Sequence, residues 1–142
     1  MPFITLHLSG SPDPELSRDL SKRIGALACK LLRKDLRRTS VLVRYVPHAD
    51  WFIADQSLQE LGRNAFRLEV TVTDETNTRD EKAIFQREAF QALSTWIGNV
   101  HPHSNIHVID CRATAYGYGG VTQERHYQAL DLGTAPQRPL IL

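Results

Sequence analysis

One hundred and forty-two residues suffice for one domain with a real hydrophobic core and are too few for two ordinary ones. Seventeen Lys and Arg against sixteen Asp and Glu leave a formal net charge of +1, which supplies no broad field for holding nucleic acid or an anionic membrane. No stretch approaches the ~20 apolar residues needed to span a bilayer, and the amino terminus lacks the basic and apolar segments of a signal peptide, so a soluble cytoplasmic protein is expected.

Phe3 to Leu8 alternates Phe3, Thr5 and His7 against Ile4, Leu6 and Leu8, the period-two pattern of a strand with one strongly apolar face. After Ser9-Gly10-Ser11, Asp13 can cap a helix with Pro14 in its first turn, and Leu16, Leu20, Ile24, Leu27 and Leu31 recur at helical spacing. Val41 to Val46 reads as a second strand, ended by Pro47. The order then repeats: a strand from Phe66 to Thr73, a helix from about Thr78 to Ile97, and a strand from Ile106 to Cys111. Thr78 and Glu81 make a capping box, and Gly98 stands where a helix stops.

Sliding the chain by sixty-five residues lays Phe3 on Leu68, Leu20 on Phe85, Val41 on Ile106 and Trp51 on Tyr116 without a gap. The reading is therefore α/β: a single domain over residues 1–142, with a first β-α-β unit at about 2–47, a second at about 66–112, and a hairpin and tail over 113–142. Parallel strands within each unit make a four-stranded sheet with both helices on one face. The bare face carries Phe3 or Ile4 and Val41 or Leu42, too much apolar surface for water, so the chain is expected to oligomerise through its sheet. The segment Pro47 to Gly62, with Trp51, Phe52 and Ile53, is expected to pack on the core or a neighbour. The tail beyond Val121 loses clear periodicity and is expected to wrap a neighbouring subunit or fray. Cys29 and Cys111 suit reduced thiols better than a disulfide framework.

The chemistry starts at Pro2. Removal of Met1 would free a secondary amine, and a terminal amine titrates near ~7.7–8 unless burial or cations lower it. A strand beginning at the next residue holds that amine in fixed geometry, as general-base catalysis requires. Proton abstraction beside a carbonyl also needs cations to grip the substrate acid and its enolate. Arg79, at the turn entering the second helix, is the first candidate. Arg67, which the sixty-five-residue slide pairs with Pro2, is the second; Arg44 and Arg112 lie on predicted strands, where a charge faces a rim, a partner or a ligand. Trp51, Tyr116 and Tyr118 are candidates to cover a pocket, with core packing as the alternative.

Ala115 to Gly120 reads as a glycine hairpin, with no following helix to suggest a phosphate loop. His101, His103 and His107 complete no recognised zinc spacing, and no Walker, dinucleotide or nucleophile-elbow motif is present, so neither metal nor cofactor is expected.

Met-Pro followed at once by a strand, the β-α-β units and the aromatic-glycine hairpin together resemble the 4-oxalocrotonate tautomerase superfamily, over roughly residues 2 to 121. The likeness is to its fused two-unit branch, that of malonate semialdehyde decarboxylase and cis-3-chloroacrylic acid dehalogenase. Val46-Pro47-His48-Ala49-Asp50-Trp51 is similar to that family's Val-Pro-Pro-Glu-Asn-Trp, and Tyr116 to Gly120 to its Trp-Gly-Ile-Gly-Gly. The resemblance implies a homotrimer, Pro2 as acid or base, and arginines that bind a small carboxylate substrate, a role carried to Arg79. The first unit departs from the pattern, with Ser11, Pro12 and Asp13 at the arginine turn. The strand arginine is also missing, its place falling near Ser40 and Asn105, with Arg44 or Arg67 as compensation. The resulting expectation is a cofactor-independent tautomerase acting on a 2-oxo or enol acid. A decarboxylase, hydratase or dehalogenase of a three-carbon acid using the same proline is the rival enzyme reading, and a non-catalytic trimeric binding module the rival of another class.

Overall fold

The computed structural model describes residues 2–131. In chain order the elements are β1 (Phe3–Ser9), α1 (Pro14–Leu32), β2 (Ser40–Val46), β3 (Phe52–Ile53), β4 (Gln56–Ser57), α2 (Leu58–Leu61), β5 (Phe66–Thr73), α3 (Arg79–Ile97), β6 (Asn105–Cys111), β7 (Gly117–Tyr118), β8 (Val121–Thr122) and α4 (Gln123–Asp131).

Both long helices start where their caps dictate. The Asp13 carboxylate accepts the Leu16 amide at 3.1 Å ahead of Pro14. Thr78 and Glu81 form the expected reciprocal box, with the Thr78 hydroxyl accepting from Glu81 N at 3.1 Å and the Glu81 carboxylate from Thr78 N at 2.8 Å.

The main sheet has the order β2-β1-β5-β6. β1 runs parallel to β2, β5 runs parallel to β6, and the two units meet through an antiparallel β1–β5 pairing centred on Leu6 opposite Leu68. Ile4, Leu6 and Leu8 from β1 and Phe66, Leu68, Val70 and Val72 from β5 face the helices, where they pack with Leu20, Ile24, Phe85, Ala89 and Leu93. The other face is open: Phe3, Leu42 and Ile109 stay 42, 38 and 40% exposed there, which resolves the alternation in favour of Ile4 and Val41 as core.

The internal repeat is real but needs a gap. Ile4 pairs with Val41 and Leu68 with Ile106, so aligning β2 with β6 at sixty-five residues aligns β1 with β5 at sixty-four. Ile4, not Phe3, is the counterpart of Leu68, as their shared burial requires. A one-residue slip turns every strand side chain to the other face, so a gapless alignment cannot match both strand pairs.

The repeat also extends further than the sequence patterning suggested. β3 and β4 pair as Phe52–Ser57 and Ile53–Gln56, and β7 and β8 pair as Gly117–Thr122 and Tyr118–Val121, the same hairpin sixty-five residues on. Each hairpin leads into a helix through a hydroxyl cap, Ser57 for Glu60 N at 3.1 Å and Thr122 for Arg125 N at 3.2 Å. The start of the tail is thus helix α4, and the glycine hairpin does have a helix after it. Residues 132–142, which carry the rest of the tail expectation, lie outside the described residues. Phe52 does not pack on the core of its own chain: it is 60% exposed at the first hairpin.

Phe85, fully buried beneath the sheet, is the largest fully buried side chain of α3. Phe85→Ala is expected to cost about 3–5 kcal/mol, read as a lower urea midpoint with an unchanged denaturant slope.

Candidate active site at the proline end of the sheet

Pro2 is buried, and its carbonyl accepts the Ser40 amide at 3.4 Å, so the residue is tied into the edge of the β1–β2 pairing. Because β5 runs antiparallel to β1, Thr73 at its last position reaches the end where β1 begins. The Thr73 hydroxyl is hydrogen-bonded to the Tyr116 phenol, which brings the second hairpin over that end. Gly117 lets the hairpin itself close tightly, since a Cβ there would lie 1.9 Å from the Val121 carbonyl oxygen. Burial pushes the Tyr116 hydroxyl above its ordinary value, partly opposed by its bond to Thr73.

The β5–α3 turn and the end of α1 close the same end. The Arg33 guanidinium grips the Glu81 carboxylate at 2.7 and 3.2 Å and reaches the Thr76 carbonyl at 3.4 Å. The Lys34 ammonium donates to the Thr76 hydroxyl at 2.8 Å, and the Asn77 amide donates to the Leu32 carbonyl at 2.9 Å. Lys34 is half-buried, and burial together with repulsion from Arg33 pulls its ammonium below its ordinary value, with Glu81 and Asp110 pulling the other way. Arg79 opens α3 at this end, exposed and with no ion pair or hydrogen bond among the described residues.

Pro2, Tyr116 and Arg79 thus share one end of the sheet, together with Lys34, which sequence reasoning passed over. Lys34 sits in the charged run Arg33-Lys34-Asp35-Leu36-Arg37-Arg38, which reads as a solvated helix end. Only its bond to Thr76, forty-two residues away, marks it out.

The other candidates lie elsewhere. Arg67 is not beside Pro2: it pairs with His7, five residues or about 16 Å along β1. Its counterpart under the repeat is Phe3, because the first strands align at sixty-four residues. Arg44, His7, Arg67 and Asn105 form one row across the open face, and Arg67 is ion-paired to Glu69 at 2.7 Å. Trp51 follows the far end of β2, opposite to Pro2, where its carbonyl accepts the Leu58 amide. Arg112, directly after β6, is at the proline end and exposed. Among the described residues no group of three His, Cys, Asp or Glu side chains is placed to hold a metal ion, and no helix is long and apolar enough to cross a membrane.

No protein-family model and no curated relative matches the chain by sequence. Comparison of folds gives a different result. A fused 4-OT crystallised as a wild-type symmetric trimer superposes with a TM-score of 0.71 at 18% identity, covering 86% of this chain and 96% of that one. This is the fold of the fused tautomerases. Pt0534, in a structure inactivated by 2-oxo-3-pentynoate, matches at a TM-score of 0.74 and 13% identity over 86% of this chain and 96% of its own. The macrophage migration inhibitory factor of Trichinella spiralis matches at 0.65 and 16%, covering 84% of this chain and 98% of that one. The tautomerase fold places two β-α-β units back to back, and in this chain Lys34, Arg79 and Tyr116 lie at the same sheet end as Pro2.

The Arg33–Glu81 pair fixes the turn on which Arg79 stands. The Arg33 guanidinium and the Thr78 amide hold the Glu81 carboxyl down to about 2, from an ordinary 4.5. A depressed carboxylate stabilises the fold above its ordinary value and loses that contribution as pH falls towards 2. The thermal-midpoint difference between wild type and Glu81→Gln is therefore expected to be full at neutral pH and to close as pH is lowered from 4.5 to 2. A difference that persists at the acid end would separate the pair from the effect.

Proposed function

We propose that this chain is a cofactor-independent tautomerase of a small 2-oxo or enol carboxylic acid, with Pro2 as the general acid and base. The observation that carries the reading is the burial of Pro2 at the same sheet end as Lys34, Arg79 and Tyr116. With Met1 removed, the secondary amine takes a proton from the carbon beside the substrate carbonyl and returns it to the other end of the enol system. Arg79 and Lys34 hold the carboxylate and the developing enolate oxygen, and the Tyr116 phenol donates to the same charge. Two cations beside an amine disfavour its protonated form. A neutral amine at physiological pH is a base, which supports tautomerisation over the decarboxylase and hydratase readings that need a protonated proline.

The same proposal includes a homotrimer. Phe3, Leu42 and Ile109 on the open sheet face, with Phe52 on its hairpin, supply an apolar surface for neighbouring copies, and fused 4-OT structures that share the fold are trimers. Arg44 and Arg67 on that face then turn towards a neighbouring subunit. The thiols Cys29 and Cys111 are free and fit a reducing cytoplasm. Light scattering is expected to return three times the 16.1-kDa chain mass for wild type and a lower mass for Leu42→Arg, which places a charge on the apolar part of the face.

Intact mass should show Met1 absent. Ketonisation of an enol-pyruvate, followed by ultraviolet absorbance, is expected to lose about 10²–10⁴-fold in kcat/KM in Pro2→Ala. Incubation with 2-oxo-3-pentynoate is expected to add one inhibitor mass to wild type and none to Pro2→Ala. Retained Met1, or equal activity in the variant, would overturn the proline mechanism. Lys34→Met removes a cation from beside the amine, so the acid limb of its kcat/KM profile is expected to move to higher pH; an unmoved limb would remove Lys34 from the site.

A further inference from the structure

The repeat gives the sheet a second end, built from the same parts in the first unit. There the chain leaves β2 through Pro47 and His48, forms the first hairpin, turns through α2 and re-enters the sheet at β5. A cavity of about 450 Å³ lies in this segment, lined by Pro47, His48, Leu58, Gln59, Arg63 and Asn64 among others. Its walls are fixed by a connected set of bonds. The Asn64 side-chain amide donates to the Gly98 carbonyl at 2.9 Å, so its oxygen is the acceptor in the 2.8 Å contact with His48 Nε2. His48 therefore carries its proton on Nε2 in the neutral ring, leaving Nδ1 as a lone pair. Backbone bonds from Asn64 N to Asn99 O at 2.9 Å and from His101 N to Asn64 O at 2.8 Å pin the same residue to the loop after α3.

Arg63 is the charged member. Its Nη2 donates to the Val100 carbonyl at 2.5 Å, which orients the guanidinium, while its buried Nε–H has no acceptor. No carboxylate lies within ion-pair distance of it among the described residues, although Arg67, the other arginine at this end of β5, is paired to Glu69. A partly buried guanidinium that an adjacent cavity leaves without a counter-ion is matched by an anion. One cation beside apolar walls from Pro47 and Leu58 fits a single carboxylate with a short carbon chain better than a phosphate, which calls for several donors.

We propose that this cavity binds a small monocarboxylate, with Arg63 as the charged partner and Pro47, Ala49 and Leu58 as the wall for its carbon chain. The site is separate from the Pro2 end and stands whether or not Pro2 is catalytic. It lacks a buried secondary amine, Phe66 being the counterpart of Pro2 under the sixty-four-residue relation of the first strands, so it binds without turning the acid over.

The test is a titration of the full-length protein with propionate, with propionamide as the neutral control, followed by proton–nitrogen NMR of the backbone amides and the Arg63 Nε–H. Saturable shifts at Arg63 and at residues 58–64 with propionate, and none with propionamide, are the expected result. Arg63→Met and the cavity-filling Ala49→Phe, which leaves the bond to Val100 in place, should each weaken binding about tenfold or more. Shifts confined to the Pro2 end, an equal response to propionamide, or unchanged affinity in both variants would overturn the second site and leave the tautomerase reading untouched.

Discussion

The structure depends on the antiparallel pairing of β1 with β5. Each β-α-β unit has a strand pair with one apolar face and a helix to cover it, but neither unit alone makes a sheet wide enough to bury Phe66, Phe85 and the leucines of both helices. Pairing Leu6 with Leu68 joins the two half-cores into one. It also points the units in opposite directions, which sends the start of β1 to the end of β5. Pro2, the β5–α3 turn and the end of α1 become neighbours for that reason, though they are far apart in sequence.

That end is held by side-chain contacts between segments far apart in sequence. Arg33, Lys34 and Asn77 tie the turn after β5 to the end of α1, and Tyr116 ties the second hairpin to Thr73. The same contacts bring Lys34 to the sheet end where Pro2 lies, and Arg79 stands there without an ion pair among the described residues. On the proposed mechanism both would act in one direction on a free Pro2 amine, disfavouring its proton.

Duplication makes two ends with the same plan and different contents. At one the first strand begins with Pro2; at the other the matching position is Phe66. The first has Lys34 where the second has Asn99, and Tyr116 where the second has Trp51. The second end keeps a cavity and, among the described residues, an arginine without an ion pair, so the two halves of the repeat carry different contents on a shared frame.

Local chemistry was enough for the sequence to determine much of this protein by itself. The strand alternation, the Asp13 and Thr78 caps, the apolar stripes of both long helices and the glycine hairpin all rest on residues within a few positions of one another. The β-α-β order and the four-stranded sheet followed from those elements and from the repeat, and the likeness to tautomerases rested on the same motifs. Tertiary structure decided what depends on direction and register. Arg67 belongs beside His7 and not beside Pro2, because the units pair antiparallel and the strands slip by one residue relative to their helices. Lys34 is held at the Pro2 end through a contact forty-two residues distant, which no local pattern records. Helix α4 shows itself as the counterpart of α2 only once the two hairpins are seen in the same register, since nine residues with few apolar positions give too weak a period to read.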